Sequence, residues 1–304
     1  MADRITTTIV NRELCTGCGL CLRVCPDNTF SINENKAEVT GNKCLQCGHC
    51  VAVCPEQAVV VQAIAPDSLI FKTFDLNNQW LKWGDFDTAE LIRLMASRRS
   101  CRNFLDKPVS RELLEDLVKI GTTAPSGTNS QKWTFTVLEH REQVVKLGAR
   151  VALFFERLNK MSANPMLRLA SRLFSDNTLG IYHQSYHDSV SKGLKQWKEE
   201  GRDLLFHGAP AVILVGSTLG ASSPAEDAML ATQNILLGAH ALGLGSCLVG
   251  FAATAMKQDP AIKDIIGIVR EEKIYSVIAL GYPNEKYQRL TGRRTPEVRF
   301  PEMQ

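Results

Sequence analysis

Charge of one sign is scarce in this sequence: 35 Lys and Arg face 32 Asp and Glu across 304 residues, a net of +3. That balance gives no strong single-signed field of the kind a dedicated nucleic-acid binder needs, so no nucleic-acid partner is expected. Long apolar runs are missing too. The most apolar stretch, Ala228 to Ala253, is broken by Gln233, Asn234, His240 and repeated Gly, which suits a buried helix and a turn better than a bilayer span. The start, MADRITTTIVNREL, lacks the apolar core and small-residue cleavage site of an export signal. A cytoplasmic location with no membrane segment is therefore expected. Beyond residue 54 cysteine almost vanishes, leaving Cys101 and Cys247, expected as buried thiols. A content of 44% hydrophobic and 22% charged residues excludes disorder and collagen-like fibres and fits one large domain or two smaller ones.

The other eight cysteines form a repeat. Cys15, Cys18, Cys21, Cys25 with Pro26, and Cys44, Cys47, Cys50, Cys54 with Pro55, spell C-x2-C-x2-C-x3-C-P twice at an offset of 29 residues. Zinc sites draw on separated pairs of ligands, whereas three thiolates at successive i+3 spacing wrap a loop around the corners of a cubane. Zinc and disulfides remain the alternatives, and the doubled eight-cysteine match favours clusters. Over about Thr6 to Val61 the segment resembles bacterial-type 2x4Fe-4S ferredoxins. The resemblance implies that the fourth Cys of each run serves the other cluster: Cys15, Cys18, Cys21 and Cys54 hold one 4Fe-4S, and Cys44, Cys47, Cys50 and Cys25 the other. Short strands are expected at Ile9-Val10, Thr29-Ile32, Ala37-Thr40 and Val59-Val61. His49 is expected beside the sulfurs or in solvent, since all ligand positions are filled. A piece this short buries too little to fold without its clusters.

From Gln62 to Asp87 periodicity is lost, so the reading is a ferredoxin-like domain over 1–65, a connector over 66–87 that packs across the next domain, and a larger α+β domain over 88–304. Residues 1–65 carry five basic and six acidic side chains, leaving +4 for the remainder. Each oxidised cluster with its thiolates adds about −2, so an acidic front piece faces a basic back piece. Thr88 is expected to cap a helix bearing Leu91, Leu94 and Met95, and Ser110 a second with Leu113, Leu114, Leu117 and Ile120 inward. Alternation marks Trp133 to Val137 as a strand, with others at Ala211-Val215 and Tyr275-Leu280 and a long helix from about Pro224 to Leu242. Residues 147–207 read as a helical lid or excursion. His183 and His187 stand at i and i+4, but without an acidic third ligand they read as a wet helix surface.

Three elements bear on a cofactor. Arg98, Arg99, Ser100 and Arg102 concentrate guanidiniums and a hydroxyl in a few residues, a set that suits phosphate oxygens, and Arg293-Arg294 could close the same phosphate. A solvated basic loop is the equal alternative for that cluster taken alone. Ala124-Pro125-Ser126-Gly127-Thr128-Asn129 is a turn-rich loop of small residues that allows close approach to a flat ring. Gly243 to Gly250 follows a helix, unlike a Rossmann fingerprint, so no Rossmann NAD site is expected.

Over about Thr88 to Val298 these elements resemble the nitroreductase family of FMN flavoproteins, and the whole chain is similar to ferredoxin-nitroreductase fusions. The resemblance implies an intertwined homodimer with FMN at the interface. Arg98, Arg99, Ser100, Arg102, Arg293 and Arg294 would meet the phosphate and ribityl, Pro125, Ser126 and Asn129 the isoalloxazine, and the Val249 and Gly250 N–H groups its N5 edge. Lys132 stands where relatives commonly have Pro, and the third loop lacks the Glu that some carry, which affects substrate preference. The implied activity is electron transfer from a low-potential donor, such as ferredoxin or NAD(P)H, through the clusters to FMN and on to a nitroaromatic, quinone or enone. A direct NAD(P)H-dependent flavin oxidoreductase and a non-catalytic electron-transfer or sensing flavoprotein are the alternatives.

Overall fold

The structure, a computed structural model, describes residues 4–302. Its first part is built twice over. β1 (Thr8–Val10), α1 (Leu20–Val24) and β2 (Phe30–Asn33) recur 29 residues on as β3 (Lys36–Val39), α2 (His49–Val53) and β4 (Val59–Val61). Each two-stranded antiparallel sheet takes one strand from each copy: β1 pairs with β4, and β2 with β3. Neither copy can therefore complete a sheet alone. Gly19 and Gly48 open the two helices at φ 75°, a left-handed turn in which a side chain would be strained. Phe30, Ala37, Ala58, Val59 and Val61 pack with Cys15, Cys21 and Cys50 into one small core. Two such sheets bury little apolar surface.

Residues 62–87 contain no helix or strand. They are tied down by Asp116, whose carboxylate accepts from the backbone N–H of Lys72 (2.9 Å) and Thr73 (2.7 Å) and from the Thr73 hydroxyl (2.6 Å). Lys119 adds bonds to the carbonyls of Asp67 and Ile70. Trp80 and Trp83 nevertheless stay 67% and 90% exposed, so this part of the connector is not packed across the next domain as expected.

The larger part runs α3 (Thr88–Ser97), α4 (Arg111–Thr122), β5 (Trp133–Leu138), α5 (Arg141–Ala163), α6 (Pro165–Phe174), α7 (Thr178–Ser185), α8 (His187–Glu200), β6 (Ala211–Ser217), α9 (Pro224–Ala241), β7 (Gly245–Leu248), α10 (Gly250–Gln258), α11 (Ala261–Asp264) and β8 (Lys273–Gly281). The four strands form an antiparallel sheet in the order β5-β6-β8-β7. Every residue of β6 is buried, because both faces are covered. Val212 and Leu214 face Val144, Leu147 and Val151 of α5, while Ala211, Ile213 and Val215 face Leu114 and Leu117 of α4 and Ile235 of α9. The pleat sorts alternate residues into two cores, and each fully buried aliphatic side chain contributes roughly 1.5–3 kcal/mol.

Two local expectations are corrected. Asp87, not Thr88, caps α3, its Oδ1 accepting from Ala89 N (2.8 Å) and Glu90 N (3.2 Å). A carboxylate combines the cap acceptor with a charge that suits the positive helix end, so the helix begins at Thr88, one residue earlier than a Thr88 cap implies. Gly245 to Leu248, read as loop, is an edge strand whose register against β8 runs from Gly245↔Gly281 to Leu248↔Ile278. Four residues are too few to show periodicity, and the ladder from β8 decides their conformation.

Candidate functional site

Eight thiols line two cavities. Cys15, Cys18, Cys21 and Cys54 converge on one, and Cys25, Cys44, Cys47 and Cys50 on the other. The crossing arises because Cys25 and Cys54 end α1 and α2 in extended conformation, at φ −80° and −79°, and the two helices pack together. Backbone N–H groups point at the sulfurs in matching pairs: Gly17 to Cys15 and Gln46 to Cys44, Thr29 to Cys25 and Ala58 to Cys54, at 3.3–3.4 Å. Such donors stabilise negative sulfur. The Ala37 N–H, with that of Gly17, holds the Cys15 thiol below its usual range against the opposing effect of burial. Burial pushes the Cys50 thiol up to about 11, so a ligand must displace that proton. Among the described residues no group of three or more His, Cys, Asp or Glu is placed to hold a single metal ion. Four thiols around a cavity suit a polynuclear cluster instead.

A second constellation gathers where α3 ends. Ser100 bridges to Ser246 in parallel fashion and Cys101 N donates to Ser246 O at 2.9 Å, so the arginine segment runs beside β7. A cleft with about 1420 Å³ of empty space is lined here by Arg93, Arg98, Arg99, His240, Ser246 and Glu285, among others. Burial, then the charges of Arg293 and Arg99, lower the Arg98 pKa. Arg99 Nη1 is buried and has no hydrogen-bond partner among the described residues. A buried guanidinium donor left unpaired is costly, and an anion with several oxygens is the group that satisfies it. Arg102 lines the neighbouring cleft with Arg141, Asp203 and His207. Cys247 lies between the two clefts: burial raises its pKa, against the lowering effects of Arg102, Ser100 and Arg98. Arg294 lies in an exposed terminal segment without regular structure.

Val249 donates its N–H to Val277 O at 2.8 Å, so the expectation that it presents this group to a flavin is not met. The Gly250 N–H begins α10, where helical N–H groups lack intrahelical partners. The structure thus brings Arg98 to Arg102 together with β7.

The loop from Pro125 to Asn129 lies elsewhere. Gly127 N donates to Asp227 Oδ1 (2.8 Å), Ser130 Oγ to Asp227 Oδ2 (3.2 Å) and Trp133 Nε1 to Asp227 O (3.2 Å). Gln131 N donates to Ser126 Oγ at 3.0 Å. Thr128, Asn129 and Gln131 all have positive φ, near 50°, an unusual run for residues other than glycine that needs such anchoring. Asn129 gives its amide Nδ2 to Leu45 O (3.1 Å) and Gln46 O (2.9 Å), between the thiols Cys44 and Cys47. Asp227 and Arg4, which fix this loop, were not singled out from the sequence. An acidic residue in the first turn of a helix ordinarily reads as a dipole partner.

The two halves sit at opposite ends of α9: Asp227 holds the loop near its start, and His240 meets Arg98 near its end. The thirteen residue steps from one to the other along the helix span roughly 20 Å, farther than a ribityl chain separates a flavin's phosphate from its ring. Under α5 and α8 an apolar cleft with about 840 Å³ of empty space is lined by Phe155, Trp197 and Phe251, the last adjoining Gly250. His183 and His187 stack ring on ring at 4.8 Å.

A model of the nitroreductase family matches residues 95–282, and one of a 4Fe-4S dicluster domain matches residues 7–55. The chain is 26% identical over 197 residues to a putative NADH dehydrogenase/NAD(P)H nitroreductase of Archaeoglobus fulgidus, and 28% identical over 211 residues to 4-nitrobenzoate reductase of Pseudomonas putida. Each alignment covers 65% of this chain and 87% of the relative. Among solved structures, a nitroreductase with bound FMN from Bacteroides fragilis is similar with a TM-score of 0.49 and 22% identity, covering 70% of this chain and 99% of that one. No helix among the described residues is long and apolar enough to cross a membrane. With more than half its length matched, the chain belongs to the nitroreductase family, its family domain preceded by a 4Fe-4S dicluster domain.

Proposed function

We propose that the chain is an iron-sulfur flavoprotein oxidoreductase in which two 4Fe-4S clusters pass electrons to FMN, for reduction of a small nitroaromatic, quinone or enone-type acceptor. The observation that carries this reading is Arg99 Nη1, buried without a partner among the described residues, next to Arg98, which in turn feels the charge of Arg293, a donor set that fits a phosphate dianion. When bound, FMN collects single electrons and gives them up as a pair, a conversion the clusters do not make. The chain's own residues position it. Arg98, Arg99, Ser100, Arg102 and Arg293 would hold the phosphate and ribityl chain, with Arg294 joining if its segment folds over the cleft. Pro125, Ser126 and Asn129 would line the ring, and Gly250 would offer its free N–H. The apolar cleft bordered by Phe251 suits a flat acceptor. Solvent supplies the proton.

The separation of roughly 20 Å along α9 supports a homodimer in which one chain's arginines and its partner's Pro125–Asn129 loop share each flavin. Exposed apolar side chains on the connector (Trp83), α6 (Met166, Phe174) and the terminal segment (Phe300) suit burial against a second copy. Anaerobic iron, sulfide and flavin analysis tests the cofactors together. Stopped-flow reduction then separates the donors: flavin bleaching by reduced ferredoxin alone supports the reading, and bleaching by NAD(P)H within a turnover time supports the direct NAD(P)H enzyme. Reduced protein that transfers nothing to any nitro, quinone or enone compound would favour a non-catalytic role.

A further inference from the structure

Arg4 sits where the two domains meet. Its carbonyl accepts from the N–H of Cys44 at 3.0 Å. Its guanidinium donates through Nη2 to Leu45 O (2.7 Å) and Thr128 O (2.6 Å), and through Nη1 to Asn129 O (2.9 Å). Asn129 answers with its bonds to Leu45 O and Gln46 O. The two residues between the thiols Cys44 and Cys47 are thus clamped to the loop that would line the flavin ring. Charge-assisted bonds of this kind are the stronger ones. The other cavity has no such connection: among the described residues, the hydrogen bonds of Cys15 to Cys21 and of Cys54 stay within the first domain. Cys18, of that second set, is the one exposed thiol of the eight.

We infer that the two clusters have fixed ranks: the one held by Cys25, Cys44, Cys47 and Cys50 delivers electrons to the flavin, the one at Cys15, Cys18, Cys21 and Cys54 receives them from the donor, and Arg4 is the positioning residue that holds the delivering loop in place. The inference rests on both cofactors being present as proposed above. Each transfer oxidises the inner cluster by one electron and reduces the flavin by one. Two transfers and one solvent proton load the ring with an electron pair, and an external one-electron donor of the reduced-ferredoxin class restores the clusters through the outer one.

The test uses the full chain with its cofactors. In Arg4→Ala with unchanged iron, sulfide and flavin content, the rate of flavin reduction by pre-reduced clusters should fall about tenfold or more, the effect of losing charged hydrogen bonds that hold the contact. Hydrogen exchange should rise in residues 43–48 and 125–131 and stay unchanged in 11–22. Arg4→Lys keeps the charge but cannot span three carbonyls, and should recover only part of the rate. If Arg4→Ala fails to take up clusters, Arg4→Lys carries the same two readouts. Cys47→Ser should slow the transfer more than Cys18→Ser. An unchanged rate in the Arg4 variants, or the reverse order for the two cysteines, overturns the ranking. Wild-type protein that holds both cofactors yet transfers nothing between them overturns the functional reading instead.

Discussion

Gly127 donates its backbone N–H to Asp227 Oδ1 at 2.8 Å, and the same carboxylate takes the Ser130 hydroxyl at 3.2 Å. A buried acid at the start of α9 therefore sets the shape of a loop a hundred residues earlier in the chain. Asp227→Ala strands the Gly127 N–H and leaves the left-handed turn at Thr128 and Asn129 without its anchor. The expected cost is about 1–3 kcal/mol, read as a lower denaturation midpoint. Flavin content should fall while iron content holds.

Removing the guanidiniums should separate the two cofactor types. Arg98→Ala combined with Arg102→Ala, or Arg99→Ala alone, is expected to give protein that keeps its brown cluster absorbance and loses FMN. Arg99→Ala also removes a buried donor that is unpaired among the described residues, so without ligand it should be no less stable than the wild type. Stoichiometric flavin in the double variant would sink the phosphate assignment.

How far these parts could be read in advance depends on whether the information is local. Cysteine spacing is local, and the 29-residue repeat marks both loops of the first domain; the crossed grouping of Cys54 with Cys15 and of Cys25 with Cys44 is what the resemblance to ferredoxins implies, and the same sets of thiols line the two cavities. Periodicity likewise marked β5, β6, β8 and α9. What escaped was set by distant partners. β7 exists because β8 pairs with it, the Val249 N–H goes to Val277, and Asp227 and Arg4 act on loops a hundred or more residues away.

Sharing of each flavin between two chains can be tested by complementation. Chains bearing Arg99→Ala and chains bearing Asp227→Ala should each bind little FMN by themselves. In a mixed dimer one site combines two intact halves and the other two damaged ones. Co-expressed and purified through different tags, the mixed dimer should hold about half the wild-type flavin. If each site lay within one chain, no mixture would recover any.

The first domain should fall apart without its clusters. Cys15, Cys21 and Cys50 are part of its core, and its sheets have two strands each. Cys21→Ser should bring iron towards half of anaerobically prepared wild type. Complete removal of iron by a chelator should abolish exchange protection over β1 to β4 and leave the β5-β6-β8-β7 sheet protected. A first domain that stays protected without iron would show that apolar packing suffices.

Asp116 gives a pH dependence with a definite sign. Burial by itself raises its pKa, but the Thr73 hydroxyl and the N–H groups of Lys72 and Thr73 outweigh burial and hold the carboxyl below its usual range. A group whose pKa is depressed on folding contributes stability above its unfolded value, about 3.9 for Asp, and loses it as pH falls through the folded value. The hold on the connector should therefore be complete at neutral pH and weaken only in acid below that range, seen as faster exchange at Lys72 and Thr73 relative to the β6 amides. Asp116→Asn keeps an acceptor oxygen but no charge, so its connector should be cleaved faster by protease at neutral pH. That variant should also show no further loosening in acid, whereas equal acid sensitivity in both proteins would place the titrating group elsewhere.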